Sequence, residues 1–149
     1  MIPQDTYQVI HRLVPLACSD IVVLCGSETL LLLRNKEPLK GEWFIPGGRI
    51  LKGEKAEDAA IRKVWEECGL NPIQPLKLLG VEEIILKKDP FGHGKGTHTV
   101  NFIYAAHVAP GSNVKIDEHQ NAFRWVSCAM IGTLGLHPYV VRNVGRALA

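Results

Sequence analysis

No stretch of this 149-residue chain is apolar for long enough to cross a bilayer. Its leucine run, Leu30-Leu31-Leu32-Leu33, belongs to a short β-rich segment, whereas a membrane-spanning helix needs about 20 apolar residues. Paired cysteines are also missing. The four present, Cys18, Cys25, Cys68 and Cys128, form no Cys-x-x-Cys motif and no zinc spacing. They read as core-packing residues of a reducing compartment. Neither sign of charge dominates: 17 Lys and Arg stand against 15 Asp and Glu, a net of +2. That excludes a nucleic-acid binder driven by bulk electrostatics. There is no internal repeat, no low-complexity tract and no linker. Asp5, His11 and Arg12 precede any apolar run, so the N-terminus does not read as a signal peptide. The expectation is one cytoplasmic domain over residues 1–149, with neither nucleic acid nor membrane as partner.

Apolar residues make up 46% of the chain and charged residues 21%, enough to bury a core without staples. The spacing predicts a short amphipathic helix over Thr6–Leu13, ended by Pro15. Ile21–Cys25 and Thr29–Arg34 read as strands joined by a turn at Gly26-Ser27-Glu28. Trp43-Phe44-Ile45 reads as a strand stopping at a glycine turn, Pro46-Gly47-Gly48. From Lys55 to Cys68, Ala56, Ala60, Val64 and Cys68 recur every four residues, with Ala59, Ile61 and Trp65 widening the apolar stripe. Gly69 stands where a left-handed C-terminal cap belongs. Leu76–Leu86 and Thr99–Val108 read as a hairpin around a long loop, Lys87–Gly96. In that loop His93 reads as solvent-facing, while Phe91 is placed to cover a site. Phe123–Val126 reads as a last strand and Pro138–Leu148 as a last helix. Strands on both sides of one central helix suggest an α/β (α+β) fold, a mixed sheet between helices.

The segment Gly48–Leu70 carries the chemistry. After the glycine turn come Glu54, Arg62, Glu66-Glu67 and Gly69. Arg62 and Glu66 lie one helical turn apart and can pair; Glu67 lies one step further round. Glu54 reaches the same polar face from the helix start. These carboxylates, with backbone carbonyls of the glycine turn, suit Mg²⁺, which takes about six oxygen ligands and is commonly bridged by phosphate. Mn²⁺ is a possible substitute.

This spacing resembles the Nudix box, with Lys63 where that family usually has its first helix glutamate. The resemblance implies a Nudix fold, metal ligation by Gly48, Glu66 and Glu67, and an Arg62 that orients a glutamate. An ammonium in place of a carboxylate changes the local charge by two units, which predicts fewer bound metals. Outside the box, Arg34, Pro38, Gly41, Trp43-Phe44, Pro46-Gly47-Gly48-Arg49, Gly80-Val81, Thr97-His98, Asp117-Glu118 and Arg124-Trp125 resemble the GDP-mannose mannosyl hydrolase branch.

That closer resemblance implies cleavage of a nucleotide sugar into sugar and nucleoside diphosphate. Asp20, Arg34, Arg49 and His98 then become substrate-binding candidates. Arginine suits a diphosphate because its planar fork matches phosphate oxygens. His119 is the candidate general base, since histidine titrates near neutral pH. Glu118 is a rival for that role, and Gln120 is a further metal ligand. The branch has glutamine before histidine, whereas this chain reads His119-Gln120; in an extended segment, that reversal would send the imidazole to the other face. Two branch residues that help bind substrate correspond here to Ile84 and Thr99, so sugar recognition is expected to differ. An ordinary pyrophosphatase attacking phosphorus and a non-catalytic nucleotide-binding domain remain alternatives. A homodimer is the family expectation.

Overall fold

A computed structural model describes all residues, 1–149. In chain order it contains α1 (Gln4–Leu13), β1 (Leu16–Cys25), β2 (Glu28–Arg34), β3 (Trp43–Phe44), β4 (Gly47–Arg49) and α2 (Ala56–Cys68). These are followed by β5 (Lys77–Leu86), β6 (Thr97–His107), β7 (Gln120–Ser127), a 3₁₀ turn (Cys128–Thr133) and α3 (Pro138–Leu148).

The strands form one mixed sheet in the order β3-β2-β1-β6-β5, with β4 on β1 and β7 on β2. β1 and β6 run parallel from Leu16↔Thr99 to Leu24↔His107; the β5–β6 hairpin is antiparallel, as its sequence indicated. Side chains alternate across a strand, so β1 serves two cores. Ile21 and Val23 pack with Ala60, Val64 and Cys68 of α2. Val22 and Leu24 pack with Tyr139, Val140 and Val144 of α3. Both cores contain residues with no solvent exposure.

Three expectations are corrected. Trp65 does not widen the α2 core stripe; it is 57% exposed. The buried positions are Ala59, Ala60, Val64, Glu67 and Cys68, so a glutamate occupies a place on the buried stripe and the tryptophan lies past its edge. Pro46-Gly47-Gly48 is not a simple turn: Gly47, Gly48 and Arg49 pair with Asp20, Ser19 and Cys18 as a short antiparallel strand. β1 and β7 also extend further toward their N-termini than their apolar runs suggested. Gly69 does cap α2, with φ 64° and its N–H bonded to the Trp65 carbonyl at 2.9 Å. A left-handed residue there ends the helix without the steric cost a Cβ would bring.

Where α3 begins, the sheet face is no longer covered by helix. Leu16, Cys18 and Asp20 on β1, Thr97, Thr99 and Asn101 on β6, and Ile84 and Leu86 on β5 form the floor of an open cleft. At the border Asp20 is only 6% exposed. Its Oδ2 accepts from the Tyr139 hydroxyl at 2.5 Å and from Asn101 Nδ2 at 2.7 Å. Burial pushes this carboxyl up to about 6 in spite of those donors.

A raised carboxyl pKa means that the native state holds a proton the unfolded chain has released, so stability falls as pH rises from about 4 to about 6. Asp20→Asn keeps the shape and removes the titration. In urea unfolding at stepped pH, the wild type is expected to lose on the order of 2 kcal/mol more than the variant across that window. Parallel pH profiles for the two proteins would contradict this account of Asp20.

Candidate active site

The cleft has a volume of about 440 Å³, within the range of small-molecule sites. β4 forms one wall, and α2 presses against it. Neither Gly47 nor Gly48 has a positive φ; they are needed for space. A Cβ on Gly47 would overlap the Asp20 carboxylate, and one on Gly48 would lie 2.6 Å from Lys63 Cε. With side chains absent, Glu67 and Lys63 lie directly on this strand.

Glu67 is 5% exposed. Its Oε2 accepts from the Gly47 N–H at 3.2 Å, and its Oε1 is 3.4 Å from Lys63 Nζ. Burial pushes the carboxyl up to about 7; Lys63 and the Gly47 amide oppose this, while the Asp117 charge adds to it. Lys63 Nζ also lies 3.4 Å from Glu66 Oε2. The ammonium therefore bridges Glu67, which lines the cleft, and Glu66, which does not.

Arg62 is engaged elsewhere. It grips Glu54 through two bonds, Nε–Oε2 at 2.8 Å and Nη2–Oε1 at 2.9 Å. It also reaches Glu66 at 3.1 Å and the Arg49 carbonyl at 2.9 Å. The Arg62 hydrogen bonds hold the Glu54 carboxyl below the usual carboxylate range. Burial would raise Glu66, but Arg62 and Lys63 together hold it low. The expectation of one acidic face gathering Glu54, Glu66 and Glu67 is thus corrected. Arg62 draws Glu54 and Glu66 to itself, and of the three only Glu67 lines the cleft. Arg62 does not line it either; it braces α2 against β4.

No three His, Cys, Asp or Glu side chains converge as a ready metal cage. Two hard oxygen donors nevertheless line the cleft. One is the buried Glu67 carboxylate, held by the Gly47 amide and Lys63. The other is Gln120 Oε1, which has no hydrogen-bond partner although Gln120 is 7% exposed and lines the cleft. Such donors fit a single divalent cation. They do not fit a cluster of cations, because the Lys63 ammonium already stands beside Glu66 and Glu67.

Arg34, Arg49, His119 and Asp20 all line the cleft. Arg34 Nε is steadied by the Pro38 carbonyl at 3.0 Å. The Arg49 guanidinium lies 4.0 Å from the centre of the Tyr7 ring, a cation–π contact. His119 and Gln120 both reach the cleft because the chain turns at Asp117–His119 instead of running extended; the reversed order does not send the imidazole away. Asp117 Oδ1 accepts from the His119 N–H at 3.0 Å, and Asn35 Nδ2 donates to the Glu118 carbonyl at 2.8 Å. His119 Nδ1 is without a protein partner.

Two candidates lie elsewhere. His98 alternates with Thr97 and Thr99, so it points away from the cleft and pairs with Glu83 at 3.1 Å. The Glu118 side chain is 86% exposed and does not line the cleft. Cys18 lies in the floor, but burial pushes its thiol up to about 12, so it stays protonated and weakly nucleophilic.

Sequence reasoning placed Phe91 over a site but missed the α1 part of the same wall. Tyr7 and His11 on α1 and Phe91 on the β5–β6 loop line the cleft. His93 is not solvent-facing: its side chain is 11% exposed, and its Nε2 lies 2.8 Å from His11 Nδ1. The signal available was the low-polarity face of α1, which needed a partner surface that no local pattern named.

Comparison with known proteins is consistent with this geometry. The Nudix domain profile matches residues 16–144. The low-salt glycan biosynthesis protein Agl8 of Haloferax volcanii is 30% identical over 143 residues, covering 95% of this chain and 87% of its own length. An ADP-ribose pyrophosphatase of Methanocaldococcus jannaschii is 37% identical over 79 residues, covering 53% of this chain and 46% of its own. The crystal structure of a MutT Nudix hydrolase from Burkholderia pseudomallei superposes with a TM-score of 0.73 at 23% identity, covering 89% of this chain and 98% of that one. A profile match over most of the chain, the box from Gly48 to Leu70 and the helix-flanked mixed sheet together place this protein in the Nudix hydrolase family.

Proposed function

We propose that this Nudix hydrolase acts on a nucleoside diphosphate joined to another group, with a GDP-mannose-like nucleotide sugar as the preferred class, releasing sugar and nucleoside diphosphate. The observation that carries this reading is the convergence in one cleft of two arginines, an imidazole, an amide with an unpaired oxygen, a buried glutamate and two side-chain-free strand residues, Gly47 and Gly48. The name of the glycan-biosynthesis relative supports a sugar-linked substrate.

In this reading Arg34 and Arg49 bind the diphosphate oxygens, and the Arg49 guanidinium is held flat by Tyr7. Glu67, the Gly48 carbonyl and Gln120, with Glu66 beside them, would hold one Mg²⁺ or Mn²⁺. When bound, the cation supplies charge neutralisation for the departing diphosphate. Lys63 adds a fixed positive charge at the same wall. His119 takes the proton of the water that attacks the sugar carbon. The C1–O bond breaks, and its electron pair leaves with the diphosphate. Asp20 keeps Tyr139 and Asn101 in place beneath the ligand.

A second reading, attack on phosphorus, is favoured by the similarity to the ADP-ribose pyrophosphatase. Hydrolysis of GDP-mannose in ¹⁸O-labelled water separates the two. Label is expected in the released sugar; label in phosphate would establish the second reading instead. Clear binding without turnover across a nucleotide-sugar panel would point to a nucleotide-binding domain.

Lys63→Glu tests the charge argument directly. Removing the ammonium and adding a carboxylate is expected to raise the number of bound Mn²⁺ by about one, read by metal titration with electron paramagnetic resonance. An unchanged stoichiometry together with unchanged products would show that Lys63 does not limit the metal count.

A further inference from the structure

α1 lies outside the residues the family profile matches, yet it builds part of the cleft wall. Phe91 stands edge-on to Tyr7 at 5.5 Å and to His11 at 5.2 Å. His11 is 7% exposed, and it lines the cleft. This wall is thus aromatic and partly built by the N-terminal helix.

One backbone donor orders the tautomers along it. His93 Nδ1 accepts from the Lys95 N–H at 3.0 Å and lies farther, 3.5 Å, from Asp89 Oδ2; with the amide donating to it, that nitrogen carries no proton. His93 is then protonated on Nε2, which faces His11 Nδ1 at 2.8 Å. His11 Nδ1 accepts, so its own proton is on Nε2. His11 Nε2 has no bond within the protein and stays open to solvent on a residue that lines the cleft. The loop that sets the chain of tautomers is itself fixed, because Asp89 accepts from the N–H groups of Phe91, His93 and Gly94 at 2.9, 3.1 and 3.1 Å. Burial and the neighbouring His93 lower the His11 pKa, against the opposing charge of Asp89, which favours the neutral ring.

We propose that His11 Nε2–H is a preset donor that recognises the nucleobase of the ligand, a planar heterocycle lying along Tyr7 and Phe91 and offering a carbonyl or ring nitrogen. This rests on the diphosphate reading above and adds which part of the ligand α1 reads. A cleft donor that the protein itself leaves unpaired favours a ligand that brings the matching acceptor over one that does not. His93 is a positioning residue: it sets the His11 tautomer and touches no ligand.

The test is calorimetric titration with Mg²⁺ of inorganic pyrophosphate and of GDP, ADP, UDP and CDP. At least one nucleoside diphosphate is expected to bind about tenfold or more tighter than pyrophosphate. His11→Phe keeps a ring and removes the donor; it is expected to erase about tenfold of that preference while leaving pyrophosphate affinity within about twofold. His11→Gln, which retains an amide donor near Nε2, is expected to restore part of the preference. Pyrophosphate that binds while no base adds affinity overturns this inference alone. Pyrophosphate that fails to bind overturns the diphosphate reading and this inference with it. If His11→Phe does not fold, long-range ¹H–¹⁵N spectra of the wild-type imidazoles decide. An Nε2–H signal that shifts with nucleoside diphosphate and not with pyrophosphate supports the assignment. An Nδ1–H tautomer, or a signal that does not respond, overturns it.

Discussion

The site depends on the absence of two side chains. Gly47 and Gly48 let α2 approach β4 closely enough for Glu67 to accept a backbone N–H and for the Lys63 stem to lie on the strand. A buried carboxylate is tolerated only when it is paired and hydrogen-bonded; here an amide and an ammonium provide that. Arg62 completes the arrangement from outside the cleft. By holding Glu54, Glu66 and the Arg49 carbonyl together, it fixes the helix to the strand that carries the cleft wall.

The cleft is the uncovered continuation of a core face. Along β1, one set of alternate side chains runs Leu16, Cys18, Asp20, Val22, Leu24. The last two pack under α3, and the first three meet the cleft. Tyr139, donating to Asp20, marks where helix gives way to open floor. The same strand therefore supplies core packing and cleft floor, and the change from one to the other follows the edge of α3.

Charge at the wall is distributed unevenly. Lys63 stands between two carboxylates, so the acidic cluster is partly neutralised by the protein itself. Arg34 and Arg49 then leave the cleft well supplied with positive charge, although the chain as a whole is nearly neutral. Net charge described the surface of the molecule and said little about the field inside a 440 Å³ cleft.

Local pattern was sufficient for the helix over residues 55–68, its glycine cap, the β5–β6 hairpin and the box that names the family, because these depend on spacing along one element. Spacing also put Arg62 against Glu66. It did not reveal that Arg62 would draw Glu54 and Glu66 away from the cleft, or that Trp65 would face solvent while Glu67 took a buried place. Those outcomes depend on what α2 packs against. His98 was misplaced because a strand's two faces are alike in sequence until its neighbours are known. The contact of His11 with His93 joins residues 82 positions apart, and no periodicity links a helix to a distant loop. Thus residue order alone determined the family, most of the elements and the residue types of the box. The tertiary structure decided which carboxylate and which imidazoles line the cleft, since that follows from which surfaces come together.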